Sequence, residues 1–382
     1  MRAAFLILLL WVTGLLAGGQ FAKVSVLLPE MRALYPEQRE QIAWLLTVVS
    51  IVGAIFGGYA GSFANRMGQK RVLVVSLCAA GGLSVWQSTH PAFGVMALSR
   101  VLEGVTHLGL VVTAPALMAQ LSSDRWRGQV MALWSTFFGV SFALFAWFGI
   151  PLAEEFGAGA LFQIHGLCLL AIALPCQVFL PRPAAVSGVA ETRATTPLAF
   201  YRDVRIIWPG VGWLFYTFTF LALLTILPSQ MPGGVRAPMT AMLSLIGIGV
   251  SLLIVPLVLT RLSATSVVLL GFFFAVLATP LGSAMTLGML GVMLFAILGM
   301  IQGGSFAAVA ELNGSLSRRT LGYGFMAQTG NLGNLVGTPA LFAILGASGF
   351  GGMLSATTGI YVVGFLSLAY LARRMGARAR AT

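Results

Sequence analysis

The stretch Gly61-Ser62-Phe63-Ala64-Asn65-Arg66-Met67-Gly68-Gln69-Lys70-Arg71 places three bases and two glycines between two apolar runs, roughly 41–64 and 72–89. Glycine permits the backbone angles of a tight reversal. Bases beside an apolar run hold a short loop on the cytoplasmic side of a membrane. The stretch therefore reads as a cytoplasmic turn between two antiparallel membrane helices.

Outward from this turn the same pattern repeats. Of 382 residues, 58% are apolar and 8% charged, against about 25% charged in ordinary soluble domains. Ten acids and 22 bases cannot cover a surface of this size with solvated charge. A soluble globular enzyme, a disordered chain and a disulfide-stapled secreted scaffold are excluded. The apolar runs fall at about 4–28, 41–64, 72–89, 92–119, 129–152 and 159–180, then 207–229, 238–260, 263–284, 286–310, 321–345 and 349–372. Each has the length a bilayer-crossing helix needs. Continuous runs, rather than alternation over short segments, exclude a β-barrel. Met1-Arg2 ahead of an apolar run has the look of a signal peptide, but no Ala-x-Ala-like site and soluble domain follow. The run reads as the first of twelve membrane helices.

Placing the N-terminus inside puts 17 of the 22 bases on the cytoplasmic side and three, Arg32, Arg39 and Arg236, outside. Lys23 and Arg100 remain within spans. The asymmetry orients the protein with both termini cytoplasmic. It also accounts for the +12 net charge without nucleic acid. The long polar interruption at 181–206 divides the chain into a six-helix bundle, 1–180, a cytoplasmic linker, 181–206, and a second six-helix bundle, 207–382. An internal echo agrees: Ala143-Leu144-Phe145-Ala146-x-x-Gly149 recurs as Ala340-Leu341-Phe342-Ala343-x-x-Gly346, and Met131-Ala132 as Met326-Ala327. Cys78, Cys168 and Cys176 lack metal-ligand spacing and read as small buried hydrophobes.

The Gly61–Arg71 stretch resembles the signature between the second and third helices of the major facilitator superfamily, Gly-x-Leu-Ala-Asp-Arg-x-Gly-Arg-Lys. Gly61, Asn65, Arg66, Gly68, Lys70 and Arg71 take its positions, with Asn65 where the family carries an acid that helps latch the outward-facing state. The departure keeps a hydrogen-bonding group and loses the charge. Arg100-Val101-Leu102-Glu103-Gly104 is similar to the family's Arg-x-x-x-Gly element in helix 4. The equivalent turn of the second half, around Arg261, is degenerate. The family's Gly-Pro antiporter element is absent from the fifth helix. With the six-plus-six layout, the resemblance covers the whole chain. It implies an all-α integral membrane protein of twelve transmembrane helices that works as a secondary transporter by alternating access.

Charged residues inside a membrane are expensive, about 2.5–3.5 kcal/mol each on insertion scales, and are functional candidates by default. Four qualify: Lys23, Arg100, Glu103 and Glu311. Arg100, Glu103 and His107 share one helix face, with Arg100 about 13 Å deep at about 1.5 Å per residue. Lys23 and Arg100 are candidates to bind an anionic substrate group, and arginine suits carboxylate geometry. Glu103 and His107 are the proton-coupling candidates. The competing reading is a structural Arg100–Glu103 ion pair with His107 bonded to a neighbouring helix. Glu311 is expected to bridge to Arg318 or Arg319. Gln328, Asn331 and Asn334 are further substrate-binding candidates, and equally candidates for helix–helix bonds. Gln20, Gln163 and His165 are weaker candidates of the same kind. Small residues Gly53, Gly57 and Gly61 in helix 2, and Gly330, Gly333 and Gly337 in helix 11, suit close helix packing. By the resemblance, these two helices meet between the halves.

No metalloprotease, hydrolase or Walker motif is present, so neither an enzyme nor a primary pump is expected. No cofactor or metal is called for. The expected partners are a small-molecule substrate and the lipid bilayer, with the protein a monomer. Twenty arginines against two lysines point to a GC-rich bacterial source and an inner-membrane location. The expected activity is proton-coupled symport of a small solute, with an organic anion the candidate. A multidrug or metabolite efflux pump and a non-transporting membrane sensor stand as alternatives.

Overall fold

The computed structural model describes residues 2–123, 126–181, 199–314 and 316–379. Most of the linker, the end of the chain, and the side chains of Asn65 and Arg127 lie outside what is described. The described residues form helices and no strands. In chain order these are α1 (Arg2–Val26), α2 (Leu28–Leu34), α3 (Ile42–Thr47), α4 (Ser50–Met67), α5 (Gln69–Gln87), α6 (Phe93–Leu121), α7 (Arg127–Ser135), α8 (Phe137–Leu144), α9 (Ile150–Phe156) and α10 (Ala158–Phe179). Then come α11 (Val204–Ser229), α12 (Gly233–Gly249), α13 (Val255–Leu259), α14 (Ala264–Ala278), α15 (Leu287–Leu312) and α16 (Leu316–Ala379). Ten segments of the described residues are long and apolar enough to cross a membrane.

The difference from twelve has two sources. α16 is a single element whose backbone breaks at Gly349 (φ 68°), so the two runs expected at 321–345 and 349–372 count as one. α5 falls outside the ten because bases crowd one end of it and Ser84 and Gln87 the other. Two helices widen to a π turn, at Phe145–Gly149 and Val250–Ile254. Each turn runs into a proline, Pro151 or Pro256. Proline has no N–H for the regular ladder, and π turns are one way a helix absorbs the loss.

The chain divides into two compact units. The first is Met1–Val186 with Pro228–Ser244, and the second is Ser187–Leu227 with Leu245–Thr382. In the first, α1 packs on α6, α8 and α10, and α5 packs between α6 and α10. Leu10, Leu73, Leu77, Leu110, Met118, Leu169 and Cys176 fill the core at one end. In the second, α14 packs on α15 and α16. Trp208 is fully buried there and donates its indole N–H to the Leu368 carbonyl at 3.0 Å.

α6 shows which solvent the fold is built for. Leu98, Leu102 and Val105 point outward, 61%, 48% and 55% exposed, while Ser99, Arg100 and Glu103 are completely buried. Apolar outside and charged inside is the reverse of a water-soluble helix, and it suits hydrocarbon as the surrounding medium.

The turn at Gly61–Arg71 forms as its residues dictate. Gly68 sits at φ 90°, where only glycine is free of Cβ strain, and separates α4 from α5. Lys70 then donates to the Leu180 carbonyl just past α10 at 2.6 Å, tying the start of one helix to the end of another. Arg66 and Arg71 are exposed.

A buried charge cluster as candidate functional site

Four helices of the first unit converge on one polar cluster. α1 supplies Gln20 and Lys23, α5 supplies Ser84 and Gln87, α6 supplies Ser99 to His107, and α10 supplies His165. Gly104 makes the convergence possible. A Cβ there would stand 2.3 Å from the Val49 carbonyl oxygen, so only glycine lets α6 approach the chain between α3 and α4 this closely.

Glu103 is the hub. Its Oε1 accepts from Lys23 Nζ at 2.7 Å, and its Oε2 accepts from Gln87 Nε2 at 3.0 Å and from Arg100 Nη1. Lys23 also donates to Gln87 Oε1 at 2.8 Å and Ser84 Oγ at 2.9 Å, and lies 4.9 Å from the Phe162 ring centroid. Arg100 Nε donates to the Leu45 carbonyl at 2.9 Å, whereas its Nη2 is buried without a partner. All three charged side chains are completely shielded. Two cations against one carboxylate leave a net charge of one positive unit within the cluster. Buried ion pairs stand only where hydrogen bonds satisfy the remaining groups. Each charged side chain of this cluster has such bonds, while the Nη2 amino group of Arg100 is left without one.

Beside the hub lie two histidines. His107 Nδ1 faces Gln20 Oε1 at 2.9 Å and the Ala17 carbonyl at 3.2 Å. Gln20 donates to Thr106 Oγ1 at 3.0 Å. Phe21 meets the His107 ring edge-on at 5.0 Å. His165 Nε2 faces the Leu16 carbonyl at 2.9 Å, and its Nδ1 faces Ser84 Oγ at 3.0 Å.

The cluster unites Lys23, Arg100, Glu103 and His107, and supplies the partner acid for Lys23 that no residue of its own helix provides. Ser84 and Gln87 escaped the sequence reading. Their signal was two polar residues three apart inside an apolar run, the spacing of one helix face.

Other candidates lie in the second unit. Gln328 Oε1 accepts from the Tyr201 hydroxyl at 2.8 Å, Asn331 Nδ2 donates to the Ala327 carbonyl one turn back, and Asn334 Oδ1 is buried without a partner. Glu311 departs from expectation. Its Oε2 accepts from the Ala264 amide at 2.6 Å, so it caps the free N–H groups at the start of α14. Arg318 pairs instead with Asp203 at 2.6 Å, and Arg319 Nε donates to the Asn313 carbonyl. The glycines of α16 also have a nearer partner than expected. A Cβ at Gly333 or Gly337 would strike the backbone of α11 at Leu214 or Phe218, while Gly61 has open space around it. The small-residue stripe thus serves packing of α16 on α11.

At the other end of the cluster, the turns are pinned. The Tyr35 hydroxyl donates to the Pro91 carbonyl at 2.8 Å, and burial pushes that hydroxyl's pKa up. His90, in left-handed backbone at φ 52°, packs against Phe162, and burial lowers its pKa. Arg236, at the start of α12, donates to Glu30 Oε1 at 2.6 Å and ties this segment into the first unit.

Residues 10–338 match the profile of the Major Facilitator Superfamily. The chain belongs to that superfamily. Its fold agrees: the human organic anion transporter MFSD10 superposes with a TM-score of 0.69 at 17% identity, over 96% of this chain and 99% of that one. A bacterial homologue of the human lysosomal transporter Spinster, in an inward-facing and occupied conformation, superposes with a TM-score of 0.77 at 14% identity over 97% of each chain. Among relatives by sequence, a probable 4-methylmuconolactone transporter of Cupriavidus pinatubonensis is 28% identical over 120 residues, 31% of this chain and 28% of that protein. The multidrug efflux pump LfrA of Mycolicibacterium smegmatis is 27% identical over 175 residues, 43% of this chain and 33% of the pump. The matched segments thus span a third or less of these two relatives. These four proteins are transporters, not enzymes. For this facilitator-superfamily chain, Gly68 and Gly104 are the two signature glycines whose geometric work is visible, one at a reversal and one at a helix crossing.

Proposed function

We propose that this chain is a secondary active transporter that moves a small organic anion across a bacterial inner membrane, coupled to protons, by alternating access of two six-helix bundles. Twelve spans follow from counting α5 and the two parts of α16 with the other nine apolar segments, and both termini then lie on the basic, cytoplasmic side. The observation that carries the substrate class is the Lys23–Glu103–Arg100 cluster. It holds one net positive charge in a water-excluded place, and Arg100 keeps its Nη2 amino group unspent. An anion would both balance that charge and take that donor. That MFSD10 is an organic anion transporter is in keeping with an anionic substrate. Gln328, Asn331 and Asn334 are proposed to contribute polar contacts from the second bundle.

The test is uptake and counterflow of radiolabelled dicarboxylates in proteoliposomes. Arg100→Gln and Lys23→Gln are each expected to abolish saturable anion transport. Unchanged transport rate and affinity in both would refute the anion site. A second reading, drug efflux, has one observation in its favour. Trp213, Tyr216 and Phe220 of α11 stack in a column, with centroids 4.5 and 5.1 Å apart, a surface suited to flat apolar molecules. Export of a planar cationic dye unaffected by Arg100→Gln would support it.

A further inference from the structure

We infer that His165 is the group that carries the coupled proton, and that the Ser84 hydroxyl is the switch that accommodates it. The inference rests on the proton-coupled reading above and names a residue for it. The Leu16 carbonyl can only accept, so His165 Nε2 carries a proton in either state. Nδ1 is then the variable atom, and its neighbour is Ser84 Oγ at 3.0 Å. With His165 neutral, the Ser84 hydroxyl donates to Nδ1. With His165 protonated, Nδ1–H donates to Ser84 Oγ, and the hydroxyl turns to the Phe162 carbonyl, 2.8 Å away. In both states Lys23 still donates into Ser84 Oγ at 2.9 Å. One rotation of one hydrogen serves both charge states, and no heavy atom has to move.

The two earlier candidates lack this property. His107 Nδ1 faces only acceptors, Gln20 Oε1 and the Ala17 carbonyl, so it keeps its proton in both states. A second proton would go to Nε2, beside which no hydroxyl among the described residues is placed as Ser84 is beside His165. A proton on Glu103 would set a new donor against Lys23, Arg100 or Gln87, all of which already donate to that carboxylate.

The groups facing His165 fix when the proton can bind. α5 presents Ser84 within hydrogen-bond distance, and the charges of Lys23 on α1 and of Arg100 and Glu103 on α6 act on the ring. The Phe145 ring closes the remaining side at 5.4 Å. The cluster already holds one net positive charge, so a second is costly until an anion offsets it. Proton and anion therefore load together, each raising the affinity for the other. In the protonation step the proton bonds to the Nδ1 lone pair and the imidazole becomes an imidazolium; it leaves by the reverse step when the anion departs.

The experiment uses full-length protein in proteoliposomes, with radiolabelled cis,cis-muconate as probe. Counterflow at equal pH is compared with accumulation driven by an inward acid gradient. His165→Gln keeps the bonds of the neutral state, since its amide can donate to Leu16 and accept from Ser84. It is expected to lose about tenfold more of acid-driven accumulation than of counterflow, a factor typical of coupled sites. Ser84→Ala is expected to fall between the two. A His165→Gln protein that accumulates muconate as wild type does overturns the assignment alone. Equal loss of both modes in a monodisperse variant overturns it too, and assigns His165 a structural role. Wild type that counterflows but ignores the acid gradient overturns the coupling reading together with the switch.

Discussion

The two halves of the molecule place different chemistry at matching positions. In the first unit Gln20 of α1 bonds His107 of α6; in the second Tyr216 of α11 donates to Gln302 of α15 at 3.3 Å. The pairs are offset by 196 and 195 residues, the spacing of the internal echo. By the same offsets Lys23 matches Thr219, Arg100 matches Phe295, Glu103 matches Leu298 and His165 matches Tyr361. All eight of these residues are buried. The first half thus fills the inner positions with an ion cluster, and the second with aromatic and aliphatic side chains plus two hydroxyl groups. The matched positions of the second half are just as buried and carry no charge. That contrast is the ground for proposing a functional rather than a structural role for the charge in the first half.

Exchanging residues between matched positions should break this comparison most severely at the hub. Glu103→Leu, which installs the residue of position 298, strands two buried cations. It is expected to cost about 3–5 kcal/mol, read as a large fall in melting temperature and in yield of monodisperse protein in detergent. Replacing the three charged residues together is expected to be milder. The triple variant Lys23→Thr, Arg100→Phe, Glu103→Leu removes charge and counter-charge together, and exchange of a buried ion cluster for apolar residues is often neutral or stabilising. It should melt near wild type while moving no anion. If it unfolds, the cluster is structural and the comparison fails.

Two smaller effects sharpen the contrast. Tyr216→Phe deletes a long hydrogen bond in the neutral half, for an expected loss of about 0.5–1.5 kcal/mol in thermal stability with anion transport retained. His90, whose pKa burial lowers, favours its neutral form in the folded protein. Its contribution is complete above the ordinary histidine value of about 6.5 and declines as pH falls below it. His90→Gln is therefore expected to flatten the fall in melting temperature on mild acidification, by a small amount because the ring is only partly buried.

The sequence carried the helical spans because hydropathy is local, and the inward face of α6 because Arg100, Glu103 and His107 recur at helical spacing. What it could not carry was contact between helices distant in the chain. Lys23 finds its acid 80 residues on, and the small residue that admits the contact, Gly104, is as consistent with many other crossings. Glu311 was misassigned for the same reason: bases near it in sequence seemed its natural partners, while the N–H groups at the start of α14, 47 residues back, win by geometry. The apolar run at 72–89 marks α5 as a span, and two of the polar residues that weaken its hydropathy, Ser84 and Gln87, complete the cluster. Ser84 and His165 acquire meaning only once α5 and α10 lie side by side.

The central claim is that the buried positive cluster recognises the anion being moved. Saturable uptake of radiolabelled muconate in proteoliposomes, compared between wild type and Arg100→Gln with matched incorporation, tests it most directly. Wild type is expected to take up an organic anion of the dicarboxylate class with saturation, and Arg100→Gln to reduce that uptake to the level of empty liposomes. Equal uptake rate and equal half-saturation in the two proteins would contradict it.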